Sequence, residues 1–238
     1  MASLLFHPAV KVPLLLANLF CGSISSSSPN PPPKEEERRK YDSNEKTREY
    51  LTEYQRTMNI ITIIEILLLL ARFQPSLINN TILHAVLNSP AFTRLRVTPT
   101  FLLGSLLSFV ATLIRIWCYR TLGRHFTFQL AILSHHKLIT SGPYAIVRHP
   151  GYTASVIMNT GALLCQLSEG SFLREVVVRR GGVWGQVLAA VWVGMVGAVS
   201  WMLVSRIPKE DTVLRKEFGE EWDGWAERTR YRLIPGVY

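Results

Sequence analysis

Three apolar runs constrain this chain more than anything else in it. Residues 97–122, 152–167 and 183–205 each approach the roughly 20 apolar residues that a helix needs to cross the core of a bilayer. Only 18% of the 238 residues are charged, against about 25% in soluble domains. Together these features predict an all-α integral membrane protein, a multi-span helical bundle. A net charge of +9 fits Lys and Arg in loops that flank membrane spans. The basic residues are scattered without a recognition motif, which argues against nucleic acid as a partner. Cys21, Cys118 and Cys165 have neither paired nor metal-ligand spacing, and Cys118 and Cys165 read as core or lipid-facing residues. No His-x-x-x-His or Cys-x-x-Cys pattern supports a metal.

Three regions follow from the patterning: 1–56, 57–122 and 123–238. The apolar start is broken by His7, Pro8, Lys11 and Pro13, so it lacks the basic start and clean apolar centre of a signal peptide. It reads as an interfacial or partly inserted segment. A Ser/Pro linker (23–33) and a charged stretch (34–56), a solvated helix or disordered arm, come next. Residues 57–71 form a short span with Glu65 in its middle, an acidic group that counts as functional by default. The plainer reading has Glu65 facing other helices, hydrogen-bonded or protonated. Residues 75–89 suggest a marginal second span, with an Asn79-Asn80-Thr81 sequon too common to decide topology.

At the end of 97–122, Trp117 and Tyr119 resemble an interfacial belt. Arg115, Arg120 and Arg124 place that end in the cytosol, with Arg115 snorkelling to the headgroups. Residues 152–167 and 183–205 then make a hairpin. Ala190, Gly194 and Ala198 recur at four-residue steps in its second arm, a pattern for close helix approach. Arg174, Arg179 and Arg180 in its outer loop run against the positive-inside pattern. In the polar tail Glu210, Leu214 and Phe218 share one helical face and Gly219 suits a cap. Trp222, Trp225, Tyr231 and Tyr238 suit an amphipathic element on the membrane surface.

Two polar segments stand out against this background. The first, residues 136–152, packs two His, an Arg, a Lys, two Tyr and two Pro into seventeen residues. Pro143 and Pro150 push Gly142 and His149 out of helical geometry, so the stretch is a turn-rich loop feeding a helix. The second runs Arg206-Ile-Pro-Lys-Glu210-Asp211, then Leu214, Phe218-Gly219, Trp222, Trp225 and Arg232-Leu-Ile-Pro235. No Gly-x-Gly-x-x-Gly follows a strand, and no Gly-x-Ser-x-Gly or Cys/His nucleophile appears, so these groups suit binding and positioning. In order, and flanking two apolar spans, the segments resemble the isoprenylcysteine carboxyl methyltransferase family. That family writes His-x-Leu-Val-Thr-x-Gly-x-Tyr and then Arg-His-Pro-x-Tyr.

The resemblance implies methyl transfer from S-adenosylmethionine to the C-terminal carboxylate of a prenylated cysteine in proteins. It implies a cytosolic-face active site and the endoplasmic reticulum membrane. By matching position, Gln129, His136, Lys137, Leu138, Ile139, Tyr144, His149, Pro150, Gly151, Tyr152 and Glu210 would surround the cofactor, some through backbone groups alone. Glu210 would meet its ammonium or a ribose hydroxyl, and Tyr144 and Tyr152 would offer aromatic faces. Arg206 would be the catalytic residue, holding the substrate carboxylate with its planar fork. Arg148 is a second candidate, equally readable as a lipid-phosphate or helix-capping contact. Trp222 and Trp225 stand where the family often has Tyr. Asp211 replaces a second Glu, and its shorter arm leaves it outside the expected site. His125 and His135 read as interfacial.

The chemistry suits the residues. A carboxylate is already ionised at neutral pH, so no general base is needed. The remaining task is near-attack geometry without water. Three alternatives share the architecture. A phospholipid amine methyltransferase would favour carboxylates in place of Arg206. A nicotinamide-dependent sterol reductase would find in Glu210 a poor partner for a phosphorylated ribose. A non-catalytic relative would have no need of intact motifs.

Overall fold

The computed structural model describes residues 8–39, 47–73, 89–129, 131, 133 and 136–237. The expected span at 75–89 (all but Ser89), its sequon, His135 and Tyr238 lie outside them. Among the described residues the regular structure is helical. It comprises α1 (Pro8–Ser26), α2 (Glu35–Arg39), α3 (Thr47–Phe73), α4 (Pro90–Thr93), α5 (Pro99–Leu122), α6 (Pro150–Leu167), α7 (Gly182–Ser205), α8 (Ile207–Phe218) and α9 (Glu220–Arg228). Among the described residues, three stretches are long and apolar enough to cross a membrane: Glu49–Arg72, Pro99–His125 and Gly182–Phe218. Helix α7 supplies the apolar part of the last. Its exposed Trp184 and Trp201 lie about 26 Å apart at 1.5 Å per residue, a spacing that suits two interfacial belts. Helix α3 is longer than the 57–71 span because the end of the charged stretch, from Thr47, is its first part.

The chain divides into two compact units. The first comprises Met1–Ser23, Tyr54–Phe109 and Met158–Ala198, around a core of Leu15, Ile66, Leu69, Phe92, Leu95, Val97, Phe101 and Cys165. The start of the chain packs into this core. Lys11 of α1 is fully buried, 2.5 Å from Glu65 Oε1, and it donates to the Gly170 carbonyl. Either charge alone in a helix bundle is costly, whereas together they compensate. Glu65 therefore faces other helices as expected, but with a cation as its partner.

The close helix approach also lies elsewhere than expected. A Cβ on Gly104 of α5 would come 2.6 Å from the Gly161 carbonyl of α6, and the reverse distance is 2.7 Å. On α7, by contrast, Ala190, Gly194 and Ala198 are exposed, and a Cβ on Gly194 would meet nothing within 4 Å. The face of α7 that packs in this unit carries Trp192 and Val196. Trp192 donates to Gln166 Oε1 at 2.7 Å, because a buried indole N–H needs an acceptor. Two arginines of the hairpin loop form local pairs, Arg179 with Glu175 at 3.0 Å and Arg174 with Glu169 at 3.7 Å.

The second unit comprises Ile24–Glu53, Val110–Ile157 and Val199–Tyr238. Gly219, at φ +54°, caps α8 and leads into α9. Trp222 and Trp225 face inward, 8% and 3% exposed, with rings edge-on at 6.4 Å. The surface-anchor expectation for these two is thus corrected. An amphipathic helix buries its apolar face against whatever is nearest, and here that is protein.

Candidate functional site

The site in the second unit grows from Pro150. Proline at the first turn of α6 sacrifices no helical hydrogen bond, and it keeps the preceding residue out of helix. The N–H groups just upstream are therefore spent on the C-terminal tail. Arg148 N donates to the Tyr231 carbonyl at 2.9 Å and His149 N to the Arg232 carbonyl at 2.8 Å. Thr153 Oγ1 adds a bond to the Leu233 carbonyl at 2.8 Å. The two polar segments are stitched together by backbone.

Side chains complete the junction. His149 is buried, with Nε2 2.9 Å from Asp211 Oδ1 and Nδ1 3.8 Å from Glu210 Oε2. Tyr152 OH donates to the same Glu210 oxygen at 2.8 Å. Asp211 Oδ2 lies 3.2 Å from Arg232 Nε and 3.8 Å from Arg148 Nη2, while the Arg148 guanidinium sits 5.6 Å above the Trp222 ring. Of the readings open for Arg148, its contacts here are a carboxylate and an indole. Asp211, left out of the expected site for its short arm, stands at the centre of this cluster because His149 comes to it.

Arg206 precedes α8 by one residue, and Glu210 N donates to its carbonyl at 3.0 Å, so the two lie one helical turn apart. Arg206 is 6% exposed and donates from Nη2 to the Phe128 carbonyl at 3.2 Å. Tyr144 accepts at its carbonyl from Trp225 Nε1 at 3.0 Å. Burial, with Cys118 and Glu210 nearby, pushes its phenol well above the ordinary value, so it stays neutral.

Arg115 corrects the snorkelling expectation. It is 5% exposed; Nη1 donates to the Gly151 carbonyl at 2.9 Å and Nε to Ser25 O and Tyr119 OH. A Cβ on Gly151 would sit 3.1 Å from Nη1, so the glycine of this turn lets the guanidinium come close.

The other expected residues are spread along the unit. Pro150 and Gly151 build the turn. Gln129 follows the carbonyl that Arg206 grips, and its own carbonyl accepts from Thr127 Oγ1 at 2.7 Å. The His136 ring lies 5.8 Å from that of Phe218 and 5.1 Å from that of His125. Phe218 is eight residues beyond Glu210, about 12 Å along α8, so His136 meets the far end of that helix. Lys137 is exposed and Leu138 and Ile139 are half-buried. The structure thus brings Tyr144, His149, Tyr152 and Glu210 together and adds Arg115, Asp211 and Arg232. The one sequence signal for Arg115 was a charge inside an apolar run.

Residues 104–179 match the model of the isoprenylcysteine carboxyl methyltransferase (ICMT) family, a stretch that includes the 136–152 loop. A probable protein-S-isoprenylcysteine O-methyltransferase of Oryza sativa subsp. indica is 31% identical over 136 residues, 55% of this chain and 59% of the relative. Protein-S-isoprenylcysteine O-methyltransferase B of Arabidopsis thaliana is 31% identical over 110 residues, 45% of this chain and 46% of the relative. Delta(14)-sterol reductase of Neurospora crassa is 28% identical over 131 residues, 48% of this chain and 26% of the relative. The chain spans about half the length of the methyltransferases it matches. No solved structure matches. These findings bear out the family resemblance read from the sequence.

Proposed function

From the family that residues 104–179 match, we propose that this integral membrane protein transfers a methyl group from S-adenosylmethionine to the C-terminal carboxylate of a prenylated cysteine in proteins. The site would lie on the cytosolic face of the endoplasmic reticulum membrane. The observation that carries the proposal is the convergence of His149 and Tyr152, both within the matched stretch, on Glu210.

The donor set fits the cofactor's chemistry. Sulfonium, ammonium and ribose hydroxyls call for a carboxylate, hydrogen-bond acceptors and aromatic faces. The Glu210 side chain is 25% exposed, and its Oε1 carries no ion pair or hydrogen bond among the described residues. Tyr152 and His149 stand beside its Oε2, and Tyr144 lies near enough to feel its charge. When bound, the cofactor supplies an electrophilic methyl group. The chain's own residues have no proton to move, since the acceptor is already an anion. Glu210, His149 and Tyr152 hold the donor, and Arg206 orients the acceptor.

The test uses membranes containing the full chain, labelled S-adenosylmethionine and N-acetyl-S-farnesylcysteine as acceptor, with cofactor titration on the purified protein. A labelled methyl ester is expected. Tight binding of S-adenosylmethionine without ester would sink the prenylcysteine acceptor. Binding of NADPH in its place would favour the sterol reductases, which the chain matches over about a quarter of their length.

A further inference from the structure

Arg115 lies in the last third of a membrane-length helix and is almost completely buried. Its guanidinium is held by two carbonyls and a hydroxyl. The rings of Tyr119, Phe126 and Phe128 lie 5.5, 5.4 and 4.8 Å from Cζ. None of these partners carries a negative charge. Among the described residues no carboxylate comes within 4.0 Å of Arg115, in contrast to Arg148, Arg179 and Arg232. The neighbouring Tyr144 phenol stays neutral and supplies no counter-charge.

A buried cation without a counter-ion is costly. Carbonyl dipoles and ring faces recover part of that cost, not all of it. Its hydrogen bonds among the described residues run from Nε and Nη1, which leaves Nη2 to a ligand. The Gly151 carbonyl that it grips belongs to the same turn that carries His149 and Tyr152. One uncompensated positive charge with one open nitrogen, beside a polar turn and among aromatic rings, suits a monoanion with apolar surroundings better than a hydrated phosphate dianion.

We infer that Arg115 is an anion-binding residue of this site, and that its anion is a carboxylate carried in by a lipid-modified ligand. The inference deepens the methyl-acceptor reading and rests on it for the identity of the probe. It adds a second arginine to the acceptor's side of the site: Arg206 lies at the start of α8, and Arg115 beneath the turn into α6.

The experiment titrates the purified full chain, in lipid-detergent micelles, with N-acetyl-S-farnesylcysteine and with its C-terminal carboxamide. The wild type should bind the acid at least about tenfold more tightly than the amide. Arg115→Met should narrow that preference by weakening the acid alone, Arg206 keeping the remainder, with amide binding unchanged as the control for folding. Arg115→Lys should retain part of it. If Arg115→Met loses amide binding too, Arg115→Gln, which keeps donors without charge, takes its place in the same comparison. An acid preference that is undiminished by removal of the charge, or that is missing in the wild type, overturns the inference. A wild type that prefers the acid yet never methylates it leaves Arg115 standing and removes the methyl-transfer reading, so the two failures are distinguishable.

Discussion

Removing the Asp211 carboxylate is the most informative single perturbation of the second unit. It is 5% exposed and meets the His149 imidazole and the guanidinium groups of Arg232 and Arg148. Asp211→Ala deletes the 2.9 Å bond to buried His149 and leaves Arg148, 11% exposed at its side chain, beside no carboxylate partner. Breaking a buried pair from one side costs about 3–5 kcal/mol. In a chain of this size each kcal/mol moves the melting point by about 2–4 °C, so the loss should be about 6–20 °C. Asp211→Asn is milder. Its amide oxygen still accepts from His149, while its NH2 replaces the oxygen facing Arg232. The Arg232 side chain is 35% exposed, so water screens that loss to under about 1 kcal/mol. With the weaker Arg148 contact, the whole change should be about 1–2 kcal/mol. Thermal unfolding in micelles measures both. If Asp211→Ala shifts the midpoint by no more than Asp211→Asn, the His149 bond contributes nothing and the cluster is not the centre of this unit.

Other expectations test separate parts of the molecule. Arg206→Lys keeps the charge but loses the fork, so methylation efficiency should fall roughly tenfold or more with S-adenosylmethionine affinity retained. Glu210→Gln should weaken that affinity instead, and wild-type methylation by Arg206→Lys would remove the need for a bidentate grip. Cysteines introduced at exposed Ser141 and Glu221 should label from the same side of the membrane, with little background because the three native cysteines are buried. Labelling from opposite sides would contradict the backbone stitching of the two segments. Gly104→Ala forces a Cβ to within 2.6 Å of the Gly161 carbonyl and should cost about 1–3 kcal/mol by overpacking; an unchanged melting point would show that α5 and α6 separate freely there. Glu65→Gln strands Lys11 and should cost about 3–5 kcal/mol. Adding Lys11→Met should recover much of that loss, and failure to recover would deny that the pair matters as a pair.

Apolar length determined where α5 and α7 run. Residues 97–122 and 183–205 became α5 and α7 within two residues, because a backbone in lipid satisfies its own hydrogen bonds only as a helix. Local stereochemistry did as much for the turns: Pro150 opens α6, Gly219 caps α8, and Arg206 and Glu210 sit one turn apart by helical period. Those rules act over a few residues and can be read directly from the chain. What they leave open is which neighbour satisfies a buried group. Lys11 with Glu65, His149 with Asp211 and Arg115 with Gly151 are joined across 36 to 62 intervening steps of chain. The same holds for Trp222 and Trp225, whose pattern announces an apolar face without saying whether lipid or protein covers it. Burial makes an unpaired charge or donor costly only once the helices have packed, so the pairings were decided by tertiary structure.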